Sequence, residues 1–288
     1  MQIAMKRNVI RRRLIEPKSN ADGDGDPRDG GVQSVDRALS ILETLAEDDE
    51  GYRLSDLAVR TGLSTSTVHR LLATLEKRRF VQFDRYESKW HVGARSFSVG
   101  ATFARRRNFT AQAMPYLRKL RDLTRETANL AVVDDESIIV LTRIESREIM
   151  RSLTKVGGRV AMVASGVGKA VLATYSDEDV NAIICRQGMP RLTEKSIARP
   201  SELFRQLQAI RRQGYAVDDE EARMGLRCVA AVVYNDCSEP LAAISVSGMT
   251  SRMTDDRLPT IGKTVREVAA ELTVALGGVM PNGDSETK

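Results

Sequence analysis

The run from Leu54 to Gly93 constrains this chain more than any other: a short helix signal, a tight turn, a second helix opening Leu-Ser-Thr-Ser-Thr-Val-His-Arg, then two alternating strands around a charged turn. In the first helix Ser55 is expected to cap the backbone amides, Leu57 and Ala58 to face inward, and Gly62 to supply the left-handed residue that ends it. The second helix should begin at Ser64 or Ser66 and bury Val68, Leu71, Leu72 and Leu75, which share one helical face. That leaves Ser64, Thr65, Ser66, Thr67, His69, Arg70 and Thr74 on the polar face and N-terminal end that a recognition helix turns toward base edges and phosphates. Val81 and Phe83, then Trp90 and Val92, alternate with polar residues on either side of Asp84 to Lys89, the pattern of a hairpin wing whose Arg85 and Lys89 are further candidate DNA contacts. The order is that of a winged helix-turn-helix; a helical hairpin packed inside a larger domain is the competing reading.

Charge separates the two. Between Arg53 and Arg107 stand 12 Lys and Arg against 4 Asp and Glu, a local charge of +8 in a chain whose formal total is +5, so the remainder is net negative. Basicity gathered in one small module is the footprint of binding to a phosphate backbone.

A chain of 288 residues suits two domains, and 42% hydrophobic residues suffice to bury cores. No stretch approaches the ~20 apolar residues that span a bilayer, and the N-terminus lacks the apolar core of a secretory signal, so a cytoplasmic protein without a membrane partner is expected. Cys185, Cys228 and Cys237 are odd in number and lack Cys-x-x-Cys spacing, which argues for free thiols rather than disulfides or structural zinc. The two histidines, His69 and His91, both fall in the basic module. Any chemistry in the C-terminal part must proceed without imidazole, and neither cofactor nor metal is expected.

Residues 1–31 pair a basic stretch with a Gly/Asp/Pro stretch and lack the apolar content to pack; they read as a disordered leader, with nonspecific DNA contacts from the basic arm as the alternative. The DNA-binding domain is expected over 32–93, with Val35, Ala38, Leu39, Leu42, Leu45 and Ala46 at helical spacing in its first helix. A linker helix follows over 94–108, an effector domain over 109–278, and a disordered tail over 279–288. In the linker, Phe97, Val99, Ala101 and Phe103 alternate instead of forming a helical stripe, which makes it a poor signature of a dimer contact. From Phe109 onward the pattern is α/β of the α+β kind: a helix through Met114 to Thr124, strands at 128–133, 137–143, 228–234 and 241–246, and helices at 166–175, 177–186, 200–213 and 254–276. Strands paired in hairpins, with helices between and after, predict an antiparallel sheet covered by helices.

Four blocks in order, Val32-Gln33-Ser34-Val35-Asp36-Arg37-Ala38, the run Gly62 to Leu72, Ala164-Ser165-Gly166-Val167-Gly168-Lys169-Ala170, and Asp218-Asp219-Glu220-Glu221 with Gly225-Leu226-Arg227-Cys228, resemble the IclR family of bacterial transcriptional regulators over about residues 32 to 278. The resemblance implies an N-terminal winged helix, a linker helix and a GAF-like effector domain that binds a small organic acid, in a dimer or tetramer. It implies Asp218 and Cys228 among the effector contacts. Val167 departs from the alanine common in such chains, and Ser152 stands where an apolar wall residue near Ile149 would be expected.

The residues carry an anion-site reading of their own. Ser165 can cap the helix it precedes, leaving the amides of Gly166, Val167 and Gly168 directed outward with the positive end of the helix dipole. The plainer reading is an ordinary serine cap with small residues for close packing. Ser245 and Ser247, two apart on a strand, share a face and can converge on one ligand, although a polar sheet edge gives the same spacing. The expected function is a DNA-binding repressor of a catabolic or glyoxylate-bypass operon, acting on double-stranded DNA at a pseudo-palindromic operator and controlled by a glyoxylate- or pyruvate-like carboxylate. The alternatives are an activator of aromatic-acid catabolism, a redox-sensing regulator using its cysteines, and an enzyme with Cys228 as nucleophile. The last lacks a base beside the thiol.

Overall fold

The protein is described here from a computed structural model covering residues 32–106, 109–134, 137–146 and 155–281. The leader 1–31, most of the tail, and positions 149 and 152 lie outside the described residues. The chain divides into two compact units between Val92 and Gly93.

In the first unit α1 (Gln33–Ala46), α2 (Leu54–Thr61) and α3 (Thr65–Lys77) precede a hairpin of β1 (Val81–Asp84) and β2 (Lys89–Val92). Ile41 and Leu45 of α1, Leu57 of α2, and Val68 and Leu72 of α3 meet Tyr52, Val81 and Trp90 in one core. The buried stripe of α1 therefore runs through Ile41 and Leu45, and the sequence-predicted Val35 and Leu39 are more than half exposed. Gly62 ends α2 in the left-handed conformation, φ 66°, as its position predicts. Ser55 is not the cap of α2. The helix starts one residue earlier, with Arg53 at the cap position and no side-chain capping bond, because Tyr52 is held extended by a two-way backbone bridge to Trp90 (3.1 and 2.8 Å). The Ser55 hydroxyl donates instead to Asp56 Oδ1 at 3.2 Å.

β1 and β2 pair antiparallel, with Val81 opposite Val92 and Phe83 opposite Trp90. Val81 and Trp90 are buried, but Phe83, at the outer end of the hairpin where the core has run out, stays 39% exposed with its ring 4.9 Å from that of Trp90.

The second unit opens with α4 (Ala94–Arg106), a helix as expected, on which Phe97 and Val99 are exposed. After α5 (Phe109–Thr124) come β3 (Thr127–Asp134), β4 (Ser137–Ile144), the short β5 (Arg159–Val160), α6 (Gly166–Leu172), α7 (Asp177–Gln187), α8 (Pro200–Gln213), β6 (Ala216–Asp219), β7 (Leu226–Tyr234), β8 (Pro240–Met249) and α9 (Leu258–Ala275). The strands form one antiparallel sheet in the order β5-β4-β3-β8-β7-β6. α5 and α9 cover one face through Leu117, Leu120, Val265 and Leu272 packed on Leu130, Val229 and Ile244. α6, α7 and α8 cover the other through Val171, Leu172, Ile183, Leu203 and Leu207. With both faces covered, central strands read as near-continuous apolar runs, as the buried residues 127–132 of β3 do. β6 was not expected as a strand: its Ala-Val-Asp-Asp is too short and too acidic to carry the alternation signal, and it gains strand geometry only by pairing with β7 at the sheet edge.

Candidate functional site

The first site is the outer face of α3. Ser64 caps the helix, its Oγ accepting the amide of Thr67 at 3.3 Å and lying 2.9 Å from Thr67 Oγ1 and 3.1 Å from Ser66 Oγ. Ser64 and Thr67 are thus engaged in holding the helix start. Thr65, Ser66, His69, Arg70 and Thr74 are exposed, and the Thr74 hydroxyl donates to the Arg70 carbonyl at 3.0 Å. On the hairpin Arg85 is exposed in the turn, and Lys89 lies 3.4 Å from Glu87 in a loose ion pair. Asp84 orders that turn by accepting the amides of Tyr86 and Glu87, and the second and then the first of these bonds hold its carboxyl below the usual range. A capped helix with a polar outer face beside an ordered hairpin can enter a major groove while the hairpin meets the backbone.

The second site lies on the α6 side of the six-stranded sheet. Across antiparallel strands, residues in register project to the same face. Asp218 of β6 is opposite Cys228 of β7, Cys228 opposite Ser247 of β8, and Ser245 opposite Asn129 of β3. Over this stripe sits the start of α6. A Cβ at Gly166 would come within 3.1 Å of the Cys228 carbonyl, 3.3 Å of its Sγ and 3.5 Å of the Asp218 amide, so the helix start lies close against both strands and a larger residue would have to push them back slightly. The Val167 side chain packs in the apolar cluster that Cys228 borders. Gly166, Val167, Asp218, Cys228, Ser245 and Ser247 are thereby brought to one place from stretches of chain far apart in sequence.

One detail of the expected anion site changes. Ser165 does cap α6, but its Oγ accepts the Gly168 amide at 3.0 Å while donating to the Ala161 carbonyl at 2.7 Å. The Gly168 amide is therefore spent on the cap, and Gly166 and Val167 are left as the first-turn donors without an acceptor inside the helix.

Burial shapes the chemistry. Asp218 is 5% exposed although it stands in a run of four carboxylates, and burial, then the neighbouring Glu221, push its carboxyl up to about 6. Its Oδ1 accepts the amides of Glu221 (2.7 Å) and Ala222 (3.3 Å). The Cys228 thiol is pushed up to about 11 by burial and by Asp218, with the Ser247 and Ser245 hydroxyls opposing, so it is a neutral thiol at physiological pH. That environment is the reverse of an activated nucleophile, and both histidines lie in the other unit.

Three residues beside this site escaped the sequence reading as functional candidates. Lys169, one turn into α6, is fully buried and donates to Glu221 Oε1 (2.5 Å), the Val217 carbonyl (2.6 Å) and Gln206 Oε1 (2.7 Å). Removing one partner of such a buried pair costs about 3–5 kcal/mol, which makes it the clamp that ties α6 to β6 and its following loop. Burial raises the Glu221 carboxyl, and its second oxygen has no partner. Asn129, an amide inside the apolar run of β3, is the third; a polar residue breaking such a run was the available signal.

Comparison with known proteins bears on both sites. Residues 34–85 match the IclR helix-turn-helix domain, and residues 101–274 match the family described as bacterial transcriptional regulator IclR C-terminal. The acetate operon repressor of Salmonella typhimurium is 42% identical over 88% of this chain and 93% of its own length. The transcriptional repressor IclR of Escherichia coli is 41% identical over the same shares. Among solved structures, the IclR transcriptional regulator of Alicyclobacillus acidocaldarius superposes with a TM-score of 0.73 at 27% identity, covering 86% of this chain and all of that one.

Proposed function

The chain belongs to the IclR family of bacterial transcriptional regulators, and we propose that it represses a catabolic or glyoxylate-bypass operon under the control of a small carboxylate bound in its second unit. It is a DNA-binding regulator and not an enzyme. Among the described residues no helix is long and apolar enough to cross a membrane. The repressor assignment is supported by the repressors that are 42% and 41% identical to it. In this reading α3 reads base edges through Ser66, His69 and Arg70, with Thr65, Thr74, Arg85 and Lys89 on the backbone and Ser64 and Thr67 holding the helix start.

The observation that carries the effector assignment is the convergence of Gly166, Val167, Asp218, Cys228, Ser245 and Ser247 on one face of the sheet. The carboxylate of the effector takes the first-turn amides of α6, where the helix dipole favours negative charge. The serine hydroxyls serve the remaining oxygens, and Asp218 and Cys228 close the wall. Binding regulates only if its affinity differs between the DNA-competent and DNA-free states, by about 1–3 kcal/mol for a usable switch.

Calorimetry of the full chain with glyoxylate, pyruvate and related small acids, combined with mobility-shift titrations on operator DNA, tests this. The double variant Ser245→Ala, Ser247→Ala should lose the ligand response while retaining DNA affinity. Absence of any acid binding, or unchanged binding in the double variant, removes the pocket.

A further inference from the structure

Where β6 meets α6, the carboxyl groups of Asp218 and Glu221 are buried with the ammonium of Lys169. Lys169 Nζ donates to Glu221 Oε1 at 2.5 Å and spends its remaining donors on the Val217 carbonyl and Gln206 Oε1, so its charge is matched before Asp218 is considered. Asp218 has only the amides of Glu221 and Ala222, both on Oδ1, to hold a negative charge. Glu221 Oε2 is buried without a partner and adds to the unmatched negative potential there.

The elements packed around Asp218 offer no second cation. β7 places the Cys228 thiol opposite it, and α8 contributes the neutral Gln206. Its chain neighbours Asp219 and Glu220 are matched by Arg227 and Lys195. Arg143 of β4, opposite Asn129 in register and bonded to Glu145, lies four strand spacings along the sheet from β6, about 19 Å.

A bound acid adds a third carboxylate. A Cβ at Gly166 would stand 3.5 Å from the Asp218 amide, so an acid held on the first-turn amides of α6 would lie within a side-chain length of the Asp218 carboxyl. Like charges brought together away from water cannot all stay ionised, and the group with the weakest compensation takes a proton.

Building on the effector pocket proposed above, we propose that the acid enters together with a proton held by the Asp218 carboxyl, so that the response to effector weakens as pH rises. The sign follows from which form binds. Burial and Glu221 already lift the free carboxyl to about 6. Below that pH the proton is in place and affinity is flat; above it each binding event must capture a proton, and affinity falls by up to tenfold per pH unit.

The test is calorimetry of the full-length protein with pyruvate and glyoxylate, both of which stay ionised across the range. At pH 7.5 the binding heat is expected to differ between HEPES and Tris by the ionisation heat of about one proton taken up, and affinity at pH 8 is expected to be at least about tenfold weaker than at pH 6. Asp218→Asn, which keeps an oxygen for the two amides, is expected to bind without proton uptake. Equal heats in the two buffers and equal affinity at the two pH values overturn the proton coupling and leave the pocket standing. Undiminished uptake in Asp218→Asn overturns the role of Asp218. No binding of either acid at either pH removes the pocket itself, and the proposal with it. The buffer comparison in the unaltered protein decides the coupling even where Asp218→Asn does not fold.

Discussion

Asp218 shows how one buried carboxyl can report its surroundings. Its partners from every side are acidic or neutral except Lys169, whose charge is already matched by Glu221. Burial, then Glu221, raise its carboxyl from an ordinary 3.8 to about 6, so the folded state binds a proton there more tightly than the unfolded chain. The folded protein must then lose stability as pH rises from about 4 to about 6 and keep that penalty above it, on the order of 3 kcal/mol at most. Asp218→Asn retains an oxygen to accept the Glu221 and Ala222 amides while removing the charge. It should melt higher than the unaltered protein at pH 8, and the gap should shrink by pH 5. An equal gap at both pH values would mean that the carboxyl is not destabilised by burial. Arg70 belongs to the same scale. If it pairs with a guanine edge, Arg70→Ala should weaken operator binding by about 1–3 kcal/mol and relax preference at one base, as measured by mobility shift on a panel of single-base variants.

Among the elements, α6 is the one whose placement decides the effector site. It is only seven residues long, and every one of them is buried. Isolated helices of that length do not persist, so its position comes from packing and from the Lys169 clamp. Gly168 makes the packing possible: a Cβ there would fall 2.1 Å from the Met162 carbonyl oxygen, a backbone atom that cannot swing aside. Gly168→Ala should therefore displace the first turn of α6, lower the melting temperature, and abolish effector binding even where the protein remains folded. Full effector affinity in that variant would separate the site from α6. α3 behaves differently, because its boundaries rest on local signals, the Ser64 cap and the left-handed Gly62 before it.

For the whole molecule, the separation of tasks between two units sets what can be expected of DNA. A single winged module reads one half-site, and closed twofold oligomers present two. Footprinting on the operator is expected to reveal two inverted half-sites about one helical turn apart or a multiple of it. Protection of one isolated asymmetric half-site would count against a twofold oligomer.

The sequence by itself determined the elements whose signals are local. The winged helix-turn-helix was legible because cap, turn glycine, apolar stripe and hairpin alternation each act within a few residues, and α8 was bounded by its proline start and its glycine stop. It also marked Gly166, Ser245 and Ser247 as candidates for one ligand, and the family resemblance added Asp218 and Cys228 to the same contacts, without the register that brings them together. Tertiary structure decided the rest. The first turn of α2 was set by the Tyr52–Trp90 bridge and not by Ser55. The acidic run at Asp218 became a buried edge strand because β7 offered it partners. Asn129 acquired its orphaned acceptor only when β3 was laid beside β8. Pairing across a sheet depends on register between segments more than a hundred residues apart, and no local pattern encodes which polar atoms that register will leave without a partner.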